Sequence, residues 1–481
     1  MIRIILFCSA LLIGYYIQGQ NHVDALRYSQ ESLSGSARFV AMGGAFGALG
    51  TNASSTSHNP AGISTHTTNQ FSGSINFSDL ETQSTYHGSK KFNKDRTLSL
   101  PNLNYVNATV LDPEEYGDWN RWNFGIGFNR LDDYNQNTYL NAEQNDHSLA
   151  TVIENNAQGV AYDNLNNFRE NLAFNTYLID TLGGINNYIS YANFAKKNQR
   201  YTESQSGSKN EFYISAGTAY QNKLFLGITI GFPSIEYKKA TTTTESNFNS
   251  SIGDSAMLRS FDYKTNLAVS GSGINLKLGL IYKLDQNIRY GLAIHTPTYF
   301  ELQEEYWASM TTDFKDEDQP RYDESKMGFF DYGLYTPFKM INSLAFIIRK
   351  KGLISIDYEY LDYGTSKITS EFYNYTETNK DTKYYYKSTA NLKIGGELRI
   401  HPQLSLRVGY AHYGSPFSNN LNDARKEYLT LGLGLKVKQY FFDIAHVNSL
   451  STEDLYIYDG ANAASIESKN NQLSFSAGFK F

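Results

Sequence analysis

Period-two alternation constrains this chain more than any other feature. Leu429, Leu431, Leu433, Leu435 and Val437 share one parity; Thr430, Gly432, Gly434, Lys436 and Lys438 share the other. The same pattern sets Leu224, Leu226, Ile228, Ile230 and Phe232 against Phe225, Gly227, Thr229 and Gly231. It ends the chain: Leu473, Phe475, Ala477, Phe479 and Phe481 against Ser474, Ser476, Gly478 and Lys480. Strand side chains point alternately to opposite faces, so each stretch has one apolar and one polar face. A strand buried on both faces would be apolar throughout. A half-exposed soluble strand has this pattern too, so one segment alone decides little.

Repetition and spacing decide more. Candidate strands fall near residues 69–78, 98–110 and 121–131, then, after a long insert, at 211–221, 223–244, 258–284, 287–306, 335–349, 352–372, 384–400, 403–413, 427–438, 439–447 and 471–481. Their connections alternate in length. Short ones are Asn222-Lys223, Asp285-Gln286-Asn287, Lys350-Lys351-Gly352, His401-Pro402-Gln403 and Lys438-Gln439. Long ones lie between them, at 245–257, 307–334, 373–383, 414–426 and 448–470. Strands of about ten residues, with short turns on one side and long loops on the other, mark an outer-membrane barrel. The expected fold is all-β, a 14-stranded antiparallel transmembrane barrel over residues 69–481. An even strand number puts both barrel ends on the short-turn side, so the N- and C-termini are expected to be periplasmic.

Composition agrees. The chain has 38 Tyr, 29 Phe and 37 Gly but nine Pro, which favours strands. Residues 1–19 have Arg3 and an apolar run from Ile4 to Ile17, followed by polar residues. That is expected to be a secretory signal. The only cysteine, Cys8, lies inside it, so a processed chain would carry no thiol or disulfide. No later stretch has 18 consecutive apolar residues, so no transmembrane helix is expected. The net charge of −6 offers no basic footprint for nucleic acid. His295, His401, His412 and His446 are isolated; no metal, cofactor or enzymatic activity is expected.

Three segments break the strand pattern. Residues 20–68 are rich in small residues and read as a segment threaded through a tight space. Residues 133–210 contain Leu165, Phe168, Leu172 and Ile179 at helical spacing and read as a partly helical extracellular insert. Gly271 and Gly273 sit inside a strand, where glycine marks a bend or close backbone approach; they are the candidate wall kink. Lys277, Arg289, Asp357, Glu359, Lys393, Glu397, Arg399, Arg407 and Lys436 occupy the non-lipid parity. A cation facing lipid at the bilayer midplane costs about 2–4 kcal/mol, so they should face the lumen and tie wall to plug. Arg38 is placed opposite Asp357 or Glu359. Loop aromatics that could hold an apolar ligand are Phe168, Tyr177, Tyr188, Tyr191, Phe194, Phe329, Phe330 and Tyr332.

Arg38, Met42-Gly43-Gly44-Ala45 and Asn59-Pro60-Ala61-Gly62 resemble the N-terminal hatch of the FadL/TodX-type outer-membrane transport family. The resemblance implies a 14-stranded barrel plugged by residues 20–68, with Asn59, Pro60 and Ala61 in the hatch. It implies passive uptake of hydrophobic small molecules, of the long-chain fatty acid or aromatic hydrocarbon type, leaving sideways through a kinked wall. It also implies a monomer in the outer membrane of a Gram-negative bacterium, with Phe481 as the signal read by the outer-membrane assembly machinery. The other partners expected are the lipid bilayer and a hydrophobic small-molecule ligand. Two alternatives remain at this point: a FadL-like subunit of a protein-secretion system, and a plugged porin for other solutes.

Overall fold

A computed structural model describes residues 21–190, 192, 195–250, 258–349, 351–418 and 422–481. The expected secretory signal lies outside the described residues, as do Tyr191 and Phe194. Fourteen antiparallel strands close into a barrel. They are β1 (Gln70–Tyr86), β2 (Ser89–Val110), β3 (Trp119–Asp133, continued by Gln136–Asn145), β4 (Ala195–Tyr220), β5 (Leu224–Ser250), β6 (Leu258–Lys283) and β7 (Ile288–His295, continued by Tyr299–Phe314). Then come β8 (Gly328–Tyr335 and Lys339–Ile348), β9 (Gly352–Asp362 and Lys367–Thr369), β10 (Ser388–His401), β11 (Leu404–Tyr413), β12 (Lys426–Val437), β13 (Tyr440–Leu455) and β14 (Ala464–Lys480). β1 and β14 pair in register from Gln70↔Lys480 to Thr85↔Ser465, which removes the free edges of an open sheet.

The alternation becomes two environments. Leu429, Leu431, Leu433, Leu435, Ile228, Ile230, Phe232, Phe475 and Phe479 are exposed on the outside. Together they form the apolar belt that a bilayer covers. Trp119, Trp122, Tyr440 and Phe481 border it at the short-turn end, and Tyr335, Tyr358, Tyr360 and Tyr410 towards the loops. Only about 9–11 residues are needed to cross. β5 has 27 residues and β6 has 26, so these strands rise well beyond the belt.

That rise corrects several expected boundaries. Residues 79–97 are not a loop: β1 and β2 continue to a turn at His87-Gly88, whose φ angles are +47° and +79°. Two consecutive left-handed residues suit a tight hairpin. The 133–210 insert likewise begins and ends in strand. Between them lie α1 (Leu149–Ala157) and α2 (Glu170–Asn175), with a small hairpin pairing Ile179–Thr181 to Tyr188–Ser190. Leu149, Ile153, Leu165, Leu172 and Ile179 bury against Leu258, Phe261, Met310 and Phe314 of β6 and β7. The insert is a folded cap with its own core.

Residues 21–68 lie inside the barrel. Helix α0 (His22–Ser29) starts with a capping box, in which Asn21 accepts from backbone N–H groups while Asp24 accepts from the Asn21 N–H. This helix sits at the long-loop end: His22 stacks on Tyr385, in helix α3 (Thr376–Tyr385) between β9 and β10. Phe481, whose N–H donates to Asn69 O, lies at the short-turn end, and the start of the described chain lies at the opposite end of the barrel. From α0 the segment descends, circles the wall and joins β1.

Candidate functional site

The circling part of the hatch begins at Ser36, whose side chain caps a single helical turn, Ala37–Val40. Gly43 and Gly44 then take left-handed φ values of +61° and +76°, which glycine adopts at no steric cost. They turn the chain flat against the wall. Wall glycines admit it: a Cβ on Gly227 would strike Pro60 O, and one on Gly409 would strike the Gly43 backbone. Met42 packs at Gly395 in the same way. Asn59 caps the turn Pro60–Thr65 through Ala61 N, 3.0 Å away, and its amide donates to Gly47 O and to Leu280 O on β6. Ala61 is buried with Ala219, Phe225 and Ile281 of the wall.

Charges hold this ring. Asp357 on β9 is fully buried. Its Oδ2 accepts from Phe46 N at 3.0 Å, Gly47 N at 2.9 Å and His58 Nε2 at 2.9 Å. Arg38 does not reach Asp357 or Glu359. It donates through Nε to Glu397 at 3.0 Å, and Glu397 also takes Arg407, which pairs with Asp443 at 2.6 Å. The one-turn helix carries Arg38 round to β10, a rotation that sequence order alone does not reveal. Glu359 pairs instead with Lys393 at 3.1 Å. Arg289 donates to Leu49 O. Lys277 pairs with Glu211, and both meet Ser57 of the hatch. Arg399 and Lys436 have the inward parity but sit exposed at the short-turn rim, below the hatch.

Several hatch groups are electrostatically shifted, His66 and Glu31 among them. Burial pushes the His66 imidazole down to about 3, with the Lys480 and Arg38 charges adding to the effect. Burial raises the Glu31 carboxyl, but the Lys339, Lys209 and Lys277 ammoniums outweigh it and hold the group well below the ordinary carboxylate value. Glu31 bonds Lys339 of β8, a wall–hatch tie absent from the sequence reading.

Above the ring lies a cavity of about 1230 Å³. Helix α0 forms one side of it, through His22, Asp24 and Arg27. Among the loop aromatics, Phe168 and Phe330 line it. Tyr188 is buried in the cap core, Tyr332 is buried against α0 residues, Tyr177 lies under the Arg321 guanidinium and Phe329 points outward.

The wall beside this cavity is incomplete. The β2–β3 ladder stops at Asn102↔Asn129. Beyond it, β2 residues 89–99 pair only with β1, and Leu100 and Pro101 fall in a register shift of that ladder; Pro101, which has no N–H to give, stands at the break. Higher up, Asn137 rejoins β2 through Asp95, with contacts of 2.9 and 2.6 Å. Between these points the cavity reaches the two facing edges, Thr97 and Ser99 on β2 and Arg130, Asp132 and Asp133 on β3, where Leu131 O accepts from Ser32 N of the hatch at 3.0 Å instead of from β2. Leu98 and Leu100 are exposed on the outer side of β2.

The expected kink at Gly271 and Gly273 is a different feature. Both pair with Leu302 and Phe300 of β7 without a break, at carbonyls close enough to exclude a Cβ. The β5–β6 ladder lapses only between Gly231↔Asn275 and Ser234↔Ser272. Beside it, β7 and β8 bend at Thr296-Pro297-Thr298 and Thr336-Pro337-Phe338, and Thr336 N donates to Thr298 O across the bend. The wall bends there but stays bonded. The unpaired stretch starts at Pro101, a single residue within a polar strand that gives no glycine signal.

No family model and no curated protein matches this sequence. Solved structures do. A Pseudomonas aeruginosa FadL homologue aligns over 94% of this chain and 100% of its own, with TM-score 0.57 and 11% identity. The P. putida toluene transporter TodX aligns over 94% and 99%, with TM-score 0.54 and 15% identity. The monoaromatic hydrocarbon channel CymD aligns over 93% and 98%, with TM-score 0.54 and 11% identity. The chain has the FadL/TodX-type fold. In this FadL-type barrel the hatch, the cavity and the unpaired wall stretch form one contiguous site.

Proposed function

We propose that this FadL-type barrel is an outer-membrane channel for passive uptake of hydrophobic and amphiphilic small molecules, and not an enzyme. The supporting observation is that a large internal cavity meets an unpaired stretch of wall above a hatch ion-paired into the lumen. A solute captured under the cap reaches the cavity, passes α0 and leaves sideways between β2 and β3. The charged hatch ring below the cavity opposes an axial route, because a desolvated ion pair is costly to break on one side. The likeness to hydrocarbon channels supports the ligand class, the exposed apolar belt supports bilayer residence, and the closed β1–β14 seam supports a self-sufficient monomer.

The test is a reversible bridge across the window. With Cys8 in the expected secretory signal, a thiol-free background is available. Thr97→Cys and Asp132→Cys, joined by a reducible bifunctional reagent, should lower uptake of radiolabelled hydrocarbons and amphiphiles at least fivefold, and reductant should restore it. Undiminished uptake with the bridge in place would refute the lateral route. A deletion strain that takes up these compounds as well as its parent would refute transport itself.

A further inference from the structure

The short-turn rim carries an uneven charge. Lys283 N–H of β6 donates to Lys223 O at the start of β5, 2.9 Å away, and Lys283 pairs with Arg289 of β7. Ile347 N–H of β8 donates to Asn287 O at 2.6 Å, which brings Arg349 and Lys351 of the next turn alongside. Arg399 N–H of β10 donates to Lys351 O at 2.7 Å, and Lys436 N–H of β12 to Gln403 O at 2.8 Å. Lys480 N–H of β14 donates to Gln439 O at 2.9 Å, next to Lys438. The cations thus follow one another through hydrogen-bonded neighbours from β5 to β14. With about 4.8 Å between strands, that arc runs ~45 Å around the mouth.

No ion pair engages these cations among the described residues. Lys223 and Lys283 lie over the Tyr282 and Phe225 rings, and Arg289 donates to the hatch. Arg349, Lys351, Arg399, Lys436 and Lys438 are exposed. The acids nearest the arc are already engaged. Asp285 accepts from Asn287 N and Ile288 N of its own turn. Glu397 takes Arg38 and Arg407, and Asp443 takes Arg407. Elsewhere on the rim the sign reverses: the β2–β3 turn carries Asp112, Glu114, Glu115 and Asp118, with Arg121 beside them bonded to Ser64 O and Asn222.

We infer that the short-turn mouth is a docking surface for an acidic soluble protein of the periplasm. This rests on the outer-membrane reading above, with short turns in the periplasm, and adds a partner to it. Like charges held in one row repel, and a partner face rich in Asp and Glu relieves that repulsion. Complementary charge gives such an encounter speed and orientation, and the reversed sign at the β2–β3 turn fixes which way round the partner sits. The length of the arc suits a macromolecule, whose interface covers ~800 Å² per side, since one small anion would meet only two or three of the cations. Lipid head groups meet a different row. Lys283, Arg289, Arg399, Lys436 and Lys480 have the lumen parity, whereas Leu284, Ile348, Ile400, Tyr440 and Phe481 are exposed on the outside at this height.

The experiment uses the full chain in nanodiscs of zwitterionic lipid, with polyglutamate as the acidic probe. Polyglutamate should bind, and its affinity should fall at least tenfold from low to physiological salt. Lys351→Glu/Arg399→Glu/Lys436→Glu should lose at least tenfold of that affinity. Lys351→Gln/Arg399→Gln/Lys436→Gln should lose severalfold and serves where the reversed variant does not insert. Lys90→Glu/Lys91→Glu, at the long-loop end, should change nothing. In intact cells, a photoreactive residue in place of Gln403 should capture a soluble protein with an excess of Asp and Glu, and the reversed arc should abolish that adduct. Polyglutamate binding or a protein adduct that survives reversal would overturn the docking surface, as would no adduct at all. Adducts with phospholipid alone would overturn it too, by assigning the arc to lipid head groups. Each of these failures leaves the uptake reading standing, because the bridge across the window tests that reading separately.

Discussion

Two residues that hold the hatch carry separable roles. Asp357 receives two backbone N–H groups and His58 with one oxygen, fully buried. Hydrogen bonds to a charged acceptor are worth about 1.5–3 kcal/mol each. Asp357→Ala strands three donors, so residues 44–48 should lift from the wall. Ion conductance in planar bilayers should rise from near zero to discrete openings, whereas Glu359→Gln, which touches no hatch backbone, should leave it closed. His66 gives a pH dependence. Its folded pKa of about 3 lies below the ordinary 6.5, so between these values the unfolded hatch binds more protons. Hatch stability is then complete above pH 6.5 and falls as pH drops towards 3, by up to ~5 kcal/mol at one pKa unit per 1.36 kcal/mol. Amide exchange of residues 51–66, corrected for intrinsic rate, should accelerate from pH 7 to pH 5. His66→Gln should remove most of that change.

At the scale of elements, helix α0 is a separate piece of the plug, tied to the wall where Lys209 Nζ donates to Tyr28 O at 3.1 Å. Its Ala25 and Tyr28 cover an apolar stripe on the inner wall, formed by Ile235, Val269, Phe300, Leu302, Leu334 and Ile368. Such a stripe is unusual in a lumen, where inward residues are mostly polar. It is satisfied here by a helix of eight residues, too short to be stable alone. Removing residues 21–29 should enlarge the cavity without unseating the ring at residues 36–66. Uptake of bulky amphiphiles should increase severalfold in whole cells while small-ion conductance stays closed. Equal uptake with and without the segment would show that α0 does not limit access.

At the scale of the molecule, the barrel is closed by one seam. Phe481 and Asn69 exchange N–H···O bonds at 3.1 Å at its lower end. The Phe481 ring stacks on Phe479 at 5.3 Å and lies near Tyr105 of β2. The family resemblance leads us to expect that this residue is also the assembly signal. Deleting Phe481 should lower the outer-membrane level of the protein at least severalfold, measured by fractionation, while any inserted protein keeps heat-modifiable migration. Unchanged levels would leave Phe481 as a packing residue only.

The barrel was legible because lipid on one side and water on the other impose period two on every crossing strand. Leu429–Val437 and Leu473–Phe481 could be assigned without coordinates for that reason. Above the bilayer that contrast disappears: residues 79–97 are polar on both faces, so the continued β1–β2 hairpin looked like a loop. Inward parity was readable for Lys277, Asp357 and Glu397, yet height was not, and Arg399 and Lys436 proved to lie at the rim. Partners also needed the tertiary structure. Arg38 meets Glu397, not Asp357, because a turn of helix and two left-handed glycines set its bearing within a circle of fourteen strands. The unpaired wall at Pro101 was invisible for a related reason. A missing ladder is a relation between two strands, and sequence describes each strand alone. Thus the chain's own pattern determined the barrel, since solvent contrast acts residue by residue. Only packing across the lumen decided where the hatch is tied, where the wall is open and which faces line the cavity.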